Sequence, residues 1–140
     1  MVTTDIKDFL PQRYPVLMVD GLTDMDDCSA ETIYRVKPDV FFFEGQALSE
    51  VALIEHIAQS ASVFAGYRAV MKGCSHPPVG YIGEIKNFHC YRCPVAGELL
   101  RTKVMFELEY GTIAVVQGVT YVNDEKVAET ELKIVLNTNE

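Results

Sequence analysis

Glu55, Gln59 and Ser62 recur four and three residues apart inside an otherwise apolar stretch, a spacing that places all three on one face of a helix. Leu53-Ile54 and Ile57-Ala58 flank Glu55. A carboxyl half-buried among them is desolvated, which raises its pKa toward the range a general acid needs near neutral pH. The alternative is a glutamate at the wet edge of the helix, bonded to Gln59, and the pattern supports both. The three histidines are His56, His76 and His89. His56 stands about 100° around the helix from Glu55, His76 falls in a loop and His89 in a long strand. Each is by default an ordinary surface or interface histidine. Neither a Gly-x-Ser-x-Gly elbow nor a P-loop is present, so a serine nucleophile and a nucleotide cradle have no sequence support.

Cys90-Tyr91-Arg92-Cys93 has the spacing of a zinc clip, with Cys74 and His76 upstream. Read as part of a strand, however, residues three apart face opposite sides. We therefore expect scattered reduced thiols and no metal.

The elements that position these residues are legible around them. Ser49 is a good N-cap, Glu50 suits a first turn, and Leu53, Ile54, Ile57, Ala58, Ala61, Phe64 and Ala65 recur at helical spacing. One helix is predicted from Ser49 to about Met71, ending at Lys72-Gly73. Its small residues (Ala52, Ala58, Ser60, Ala61, Ser62, Ala65) predict close approach by other elements. Ahead of it, Thr4–Leu10 reads as a short capped helix and Val16–Asp20 as a buried strand. Glu31–Lys37 is its expected partner, across a turn at Asp24–Asp27. After Pro77-Pro78 come four β-segments, 79–91, 98–110, 112–122 and 125–136. They are separated by Pro94–Gly97, Gly111 and Asn123-Asp124. Leu100, Thr102, Val104, Phe106 and Leu108 alternate with charged residues, imperfectly at Met105, as in an antiparallel sheet with one wet face. These elements predict an α+β fold of one domain over residues 1–140, a curved antiparallel sheet wrapped around one long central helix. Residues 137–140 read as a frayed tail.

Composition bounds the partners. The 140 residues are 49% hydrophobic and carry a formal charge of −8, which suits a folded domain and opposes nucleic-acid binding. The most apolar stretch, Val51–Val70, is broken by Glu55, His56, Gln59 and Arg68, so no membrane span is expected. Without a visible signal peptide the expected location is cytoplasmic.

Several segments resemble a known family. Leu10-Pro11-Gln12-Arg13-Tyr14-Pro15-Val16-Leu17-Met18-Val19-Asp20 is similar to the LPHRYPFLLVD opening of the 3-hydroxyacyl-[acyl carrier protein] dehydratases. Glu55-His56-Ile57-Ala58-Gln59 resembles their central-helix E-A-x-A-Q. Cys93-Pro94-Val95-Ala96-Gly97-Glu98-Leu99 resembles their R-P-V-x-P-G-D-x-L turn, and Phe41-Phe42-Phe43-Glu44-Gly45 their F-F-x-G-H-F-P. The departures are specific. Gln46 stands where the family has a catalytic His after Gly45, the loop to Glu55 is shorter, and Gln12 replaces the His of the opening motif. The pattern resembles a divergent branch, like the dehydratases of aryl-polyene and flexirubin-type pigment clusters with their E-x-M-A-Q helix.

The resemblance implies a hotdog fold and loss of water from a 3-hydroxyacyl thioester on an acyl carrier protein, without cofactor, in fatty-acid or polyene-type biosynthesis. It implies Glu55 as the catalytic acid. Gln59, Gly45, Gln46 and the Gly83 backbone become substrate-binding candidates. For the missing base, His89 is the first choice, ahead of His56 and His76 or Glu55 working through water. The alternatives are a hotdog thioesterase and a non-catalytic acyl-binding or complex-forming subunit. An acidic carrier needs a basic patch, for which Arg68, Lys72, Lys86 and Arg92 are candidates. The strand 79–91, with two glycines and no proline, is the expected edge of a homodimer or higher homo-oligomer.

Overall fold

In the computed structural model, which describes residues 1–137, the chain runs β1 (Gly21–Met25), β2 (Ser29–Arg35), β3 (Phe43–Glu44), β4 (Ala47–Leu48), α1 (Glu50–Met71), β5 (Val79–Cys90), β6 (Leu99–Tyr110), β7 (Ile113–Val122) and β8 (Glu125–Asn137). Six strands form one antiparallel sheet in the order β1-β2-β6-β7-β8-β5, and β3 and β4 make a separate small hairpin. As expected, the sheet wraps a single long helix. Beyond Asn137, which closes β8, the tail expectation lies outside the described residues.

α1 forms where its cap and composition dictate. The Ser49 side chain accepts the Ala52 N–H, and the helix ends at Met71, before Gly73 with φ +96°. Ala52, Leu53, His56 to Gly66 are all buried, so packing surrounds this helix on nearly every side. Small residues mark the closest approaches. A Cβ at Gly118 of β7 would collide with the Ile57 Cγ2, and one at Gly80 of β5 would stand 2.6 Å from the Ser62 Oγ.

Two expectations are corrected. Val16–Asp20 is not a strand: the Val16 and Leu17 N–H groups both bond to the Arg13 carbonyl in a turn, and β1 starts at Gly21. The Met18 N–H and the Val16 and Met18 carbonyls find partners on helix side chains, described below, rather than in a ladder. The Thr4–Leu10 helix shrinks to a 3-10 turn at Ile6–Asp8, because Asp5 makes no side-chain cap. In β6 the alternation holds through Phe106. A bulge between Phe106 and Leu108 then turns Leu108 to the outer face.

The two sheet edges differ. β1 is covered by the N-terminus, through Val2 N–H to Leu22 O at 2.8 Å and Leu22 N–H to Thr3 O at 2.9 Å. Among the described residues β5, twelve residues long, pairs only with β8. Its register slips at Gly83 and again between Lys86 and His89, so bulges interrupt the open edge.

Candidate active site

Glu55 and Gln59 lie on the wall of a cleft of about 610 Å³ between α1 and the start of β5. Ala58, Ser62, Gln12, Gly80 and Ile82 complete much of its lining. The shared helix face expected for Glu55, Gln59 and Ser62 is realised there. Gln59 is buried, and its side-chain amide is fully committed. Its Oε1 accepts the Met18 N–H at 2.7 Å. Its Nε2 donates to the Val16 carbonyl at 2.9 Å and to the Glu55 Oε2 at 3.0 Å. One glutamine thus ties the opening segment to the helix and orients the carboxylate. Glu55 is half-buried and, among the described residues, has no other hydrogen-bond or ionic partner. Its second oxygen is left for a ligand.

His56 is wholly buried on the other side of the helix. Nδ1 lies 2.7 Å from the Met18 carbonyl, and Nε2 2.7 Å from Thr102 Oγ1, itself 2.8 Å from Thr120 Oγ1. A carbonyl only accepts, so the ring proton sits on Nδ1. The Thr102 hydroxyl then donates to Nε2, and the Thr120 hydroxyl donates to Thr102. Burial pushes the imidazole down to about 4, against the Met18 carbonyl and the Asp20 charge, which both act upward. With both nitrogens engaged, His56 holds the Met18 carbonyl while Gln59 holds the Met18 N–H. It is not free to serve as a base.

The remaining candidates scatter. His89 pairs with Glu129 across β5 and β8. Directly paired residues share a face, and Glu129 and Glu131 alternate with buried Ala128, Thr130 and Leu132, so His89 projects from the outer face. It stacks on Tyr91 there and lines a separate groove with Asn87 and Glu129. The structure does not bring it to Glu55 within the protomer. His76 is exposed beyond the end of α1. Gly45, at φ +63°, and Gln46 form the exposed turn of the β3–β4 hairpin, outside the cleft lining. Gly83 sits at the β5 bulge, one residue past the last cleft-lining position, Ile82. Gln12 replaces a family histidine and lines the cleft, a role the sequence reading had not given it; its place in the opening motif was the available signal.

Of the four basic residues named for carrier docking, Lys72 is exposed at the C-cap of α1 and the other three face carboxylates. Arg68 pairs with Glu109 at 2.7 Å, Arg92 with both Glu98 and Glu125, and Lys86 faces Glu84 on the outer surface. None lines the cleft. The cysteines require a different correction. Cys90 and Cys93 were expected to point apart, yet their Sγ atoms are 3.9 Å apart. The chain leaves the strand at Cys90: the Tyr91 and Arg92 N–H groups both turn onto the Val127 carbonyl, which swings Cys93 back toward Cys90. Cys74 lies past the opposite end of α1, a helix of 22 residues spanning about 30 Å.

A family model described as ApeP dehydratase matches residues 4–140. The chain belongs to the ApeP-like dehydratase family. It is 30% identical to the 3-hydroxyacyl-[acyl-carrier-protein] dehydratase FabZ of Clostridium botulinum (strain Loch Maree / Type A3), covering 94% of this chain and 93% of that protein. Among solved structures, the dehydratase heterocomplex ApeI:P from Xenorhabdus doucetiae matches with a TM-score of 0.85 at 16% identity, over 94% of this chain and 90% of the other. A hypothetical thioesterase protein with coenzyme A from Streptococcus pneumoniae TIGR4 matches at 0.63 with 12% identity, over 84% of each chain. These likenesses bear out the hotdog fold and a dehydratase-type lyase; the thioesterase match is one of fold alone. No helix among the described residues is long and apolar enough to cross a membrane.

Proposed function

We propose that this chain contributes the acid half of a two-subunit site that dehydrates 3-hydroxyacyl thioesters presented by an acyl carrier protein in the cytoplasm. The observation that carries the reading is Glu55 itself, tethered at one oxygen by Gln59 and open at the other, on the wall of a cleft that ends at an uncovered strand edge. In the reaction a base removes the proton α to the thioester carbonyl. The electron pair moves to form the α–β double bond, the β-carbon–oxygen bond breaks, and the hydroxyl leaves as water with the proton supplied by Glu55. The acyl chain would run along Ala58, Val79 and Ile82, which give the cleft its apolar lining.

The base comes from a second hotdog subunit docked along β5. Gln46 cannot serve, since a side-chain amide takes no proton near neutral pH. A second copy of this chain, the homodimer expected from sequence, would bring another Gln46. Its His89 would stay on the outer face, because edge-to-edge pairing preserves the face of each residue. A distinct, histidine-bearing subunit therefore fits better, and it agrees with the assembly named for the ApeI:P structure.

The test is to supply 3-hydroxyacyl, enoyl and saturated acyl thioesters, carrier-linked and small, to the chain alone and mixed with a histidine-bearing hotdog dehydratase subunit. Reversible water loss that rises at least about a hundredfold on mixing supports the proposal. Release of free thiol from all three substrates would replace it with hydrolysis, and equal water loss by the chain alone would remove the second subunit.

A further inference from the structure

We propose that Cys90 and Cys93 form a reversible dithiol–disulfide pair, a modification site at the seat of the hairpin that carries Gly45 and Gln46. Both are free, half-buried thiols with sulfurs 3.9 Å apart, whereas Cys28 and Cys74 are exposed. Closing the bond asks each sulfur to move by about 1 Å, given a disulfide length near 2 Å. The residues between them are in a bend rather than a strand, so the movement breaks no ladder.

The ring closed is only a few residues long. A cross-link over so short a loop removes little chain entropy, hence stabilises the fold weakly and yields readily to a reducing thiol. Such a bond is suited to switching rather than to bracing. Its position gives it something to act on. Immediately after Cys93, the Pro94 carbonyl accepts the Leu48 N–H at 2.9 Å, and Val95 bridges to Ala47. The two cysteines therefore adjoin the turn on which β4 rests, and β4 ends at Leu48, directly before α1 and seven residues ahead of Glu55.

With hydrogen peroxide as oxidant the chemistry closes. The Cys93 thiolate attacks one peroxide oxygen, the O–O bond breaks, and hydroxide leaves to become water, giving a sulfenic acid at Cys93. The Cys90 sulfur then attacks the Cys93 sulfur, the S–O bond breaks, and a second water departs. Two electrons and two thiol protons pass to the peroxide. Burial holds the Cys90 thiol up near 11, and the neighbouring Cys93 adds to this, which makes Cys90 a poor first nucleophile.

The fully reduced chain should be exposed to increasing hydrogen peroxide, quenched with an alkylating agent and mapped by mass spectrometry. The expected result is loss of two hydrogens in one chain, located to a link between Cys90 and Cys93. It should appear before modification of Cys28 or Cys74 and be reversed by dithiothreitol. The link should persist in the Cys28→Ser/Cys74→Ser variant and vanish in Cys93→Ser. Oxidation of Cys28 or Cys74 first, with Cys90 and Cys93 still alkylated separately, overturns the proposal. Because wild-type mapping decides it, neither the folding of a variant nor the activity of the Glu55 site enters the outcome.

Discussion

His56 sets a pH dependence of stability that can be worked from the structure. The ring is wholly buried, neutral, and held between Met18 and Thr102. Burial depresses it from 6.5 to about 4 in the folded chain. A depressed base contributes stability that is complete above the unfolded value and is lost as pH falls toward the folded one, because the unfolded chain takes up a proton the native state refuses. At about 1.4 kcal/mol per pH unit, lowering pH from 7 to 5 should remove about 2 kcal/mol. This window lies above most carboxylate titration, so the histidine dominates it. Urea unfolding followed by circular dichroism at pH 7, 6 and 5 measures the loss, and His56→Gln removes the titrating group. The wild type should lose about 2 kcal/mol across the range and the variant well under half of that, whatever its absolute stability. Parallel curves for the two proteins would refute a buried neutral imidazole.

Three further outcomes follow from the same contacts. Gln59→Met orphans the Met18 N–H and the Val16 carbonyl together. At about 1–3 kcal/mol per buried group, it should cost about 2–6 kcal/mol by chemical denaturation. Gly118→Ala drives a methyl into Ile57 and should cost about 1–3 kcal/mol in the same assay. Ile85→Lys, on the open edge and exposed in the isolated chain, should leave the melting temperature unchanged while abolishing co-elution with a hotdog partner in size-exclusion chromatography.

The helix and the last four strands were readable because their signals are local. Ser49 caps its own helix, and the alternation along β6 records which face is buried. The start of the chain was misread for the opposite reason. Val16–Asp20 has the composition of a strand, but its Met18 N–H and its Val16 and Met18 carbonyls are satisfied by Gln59 and His56, some forty residues away, and no local pattern reports that. The Cys90–Cys93 approach was missed because period-2 reasoning was carried three residues past the end of the strand. Within the site, the Glu55–Gln59 pair followed directly from helical spacing. The place of His89 did not: its face depends on the register with β8, including a bulge between Lys86 and His89 that shifts the count. Arg68 and Arg92 lie 41 and 33 residues in sequence from Glu109 and Glu125, which pair with them in the fold, so their charges looked available.

The central claim rests on one carboxyl group, and Glu55→Gln tests it most directly. The substitution keeps the shape and removes the acid. The measurement is the rate of enoyl thioester formation from a 3-hydroxyacyl thioester, by the chain mixed with its histidine-bearing partner, with co-elution and thermal melting as controls. The account predicts a fall of about a hundredfold or more with assembly and melting temperature retained. A variant that assembles normally and dehydrates within about threefold of wild type would contradict it, since losing a general acid costs far more than that.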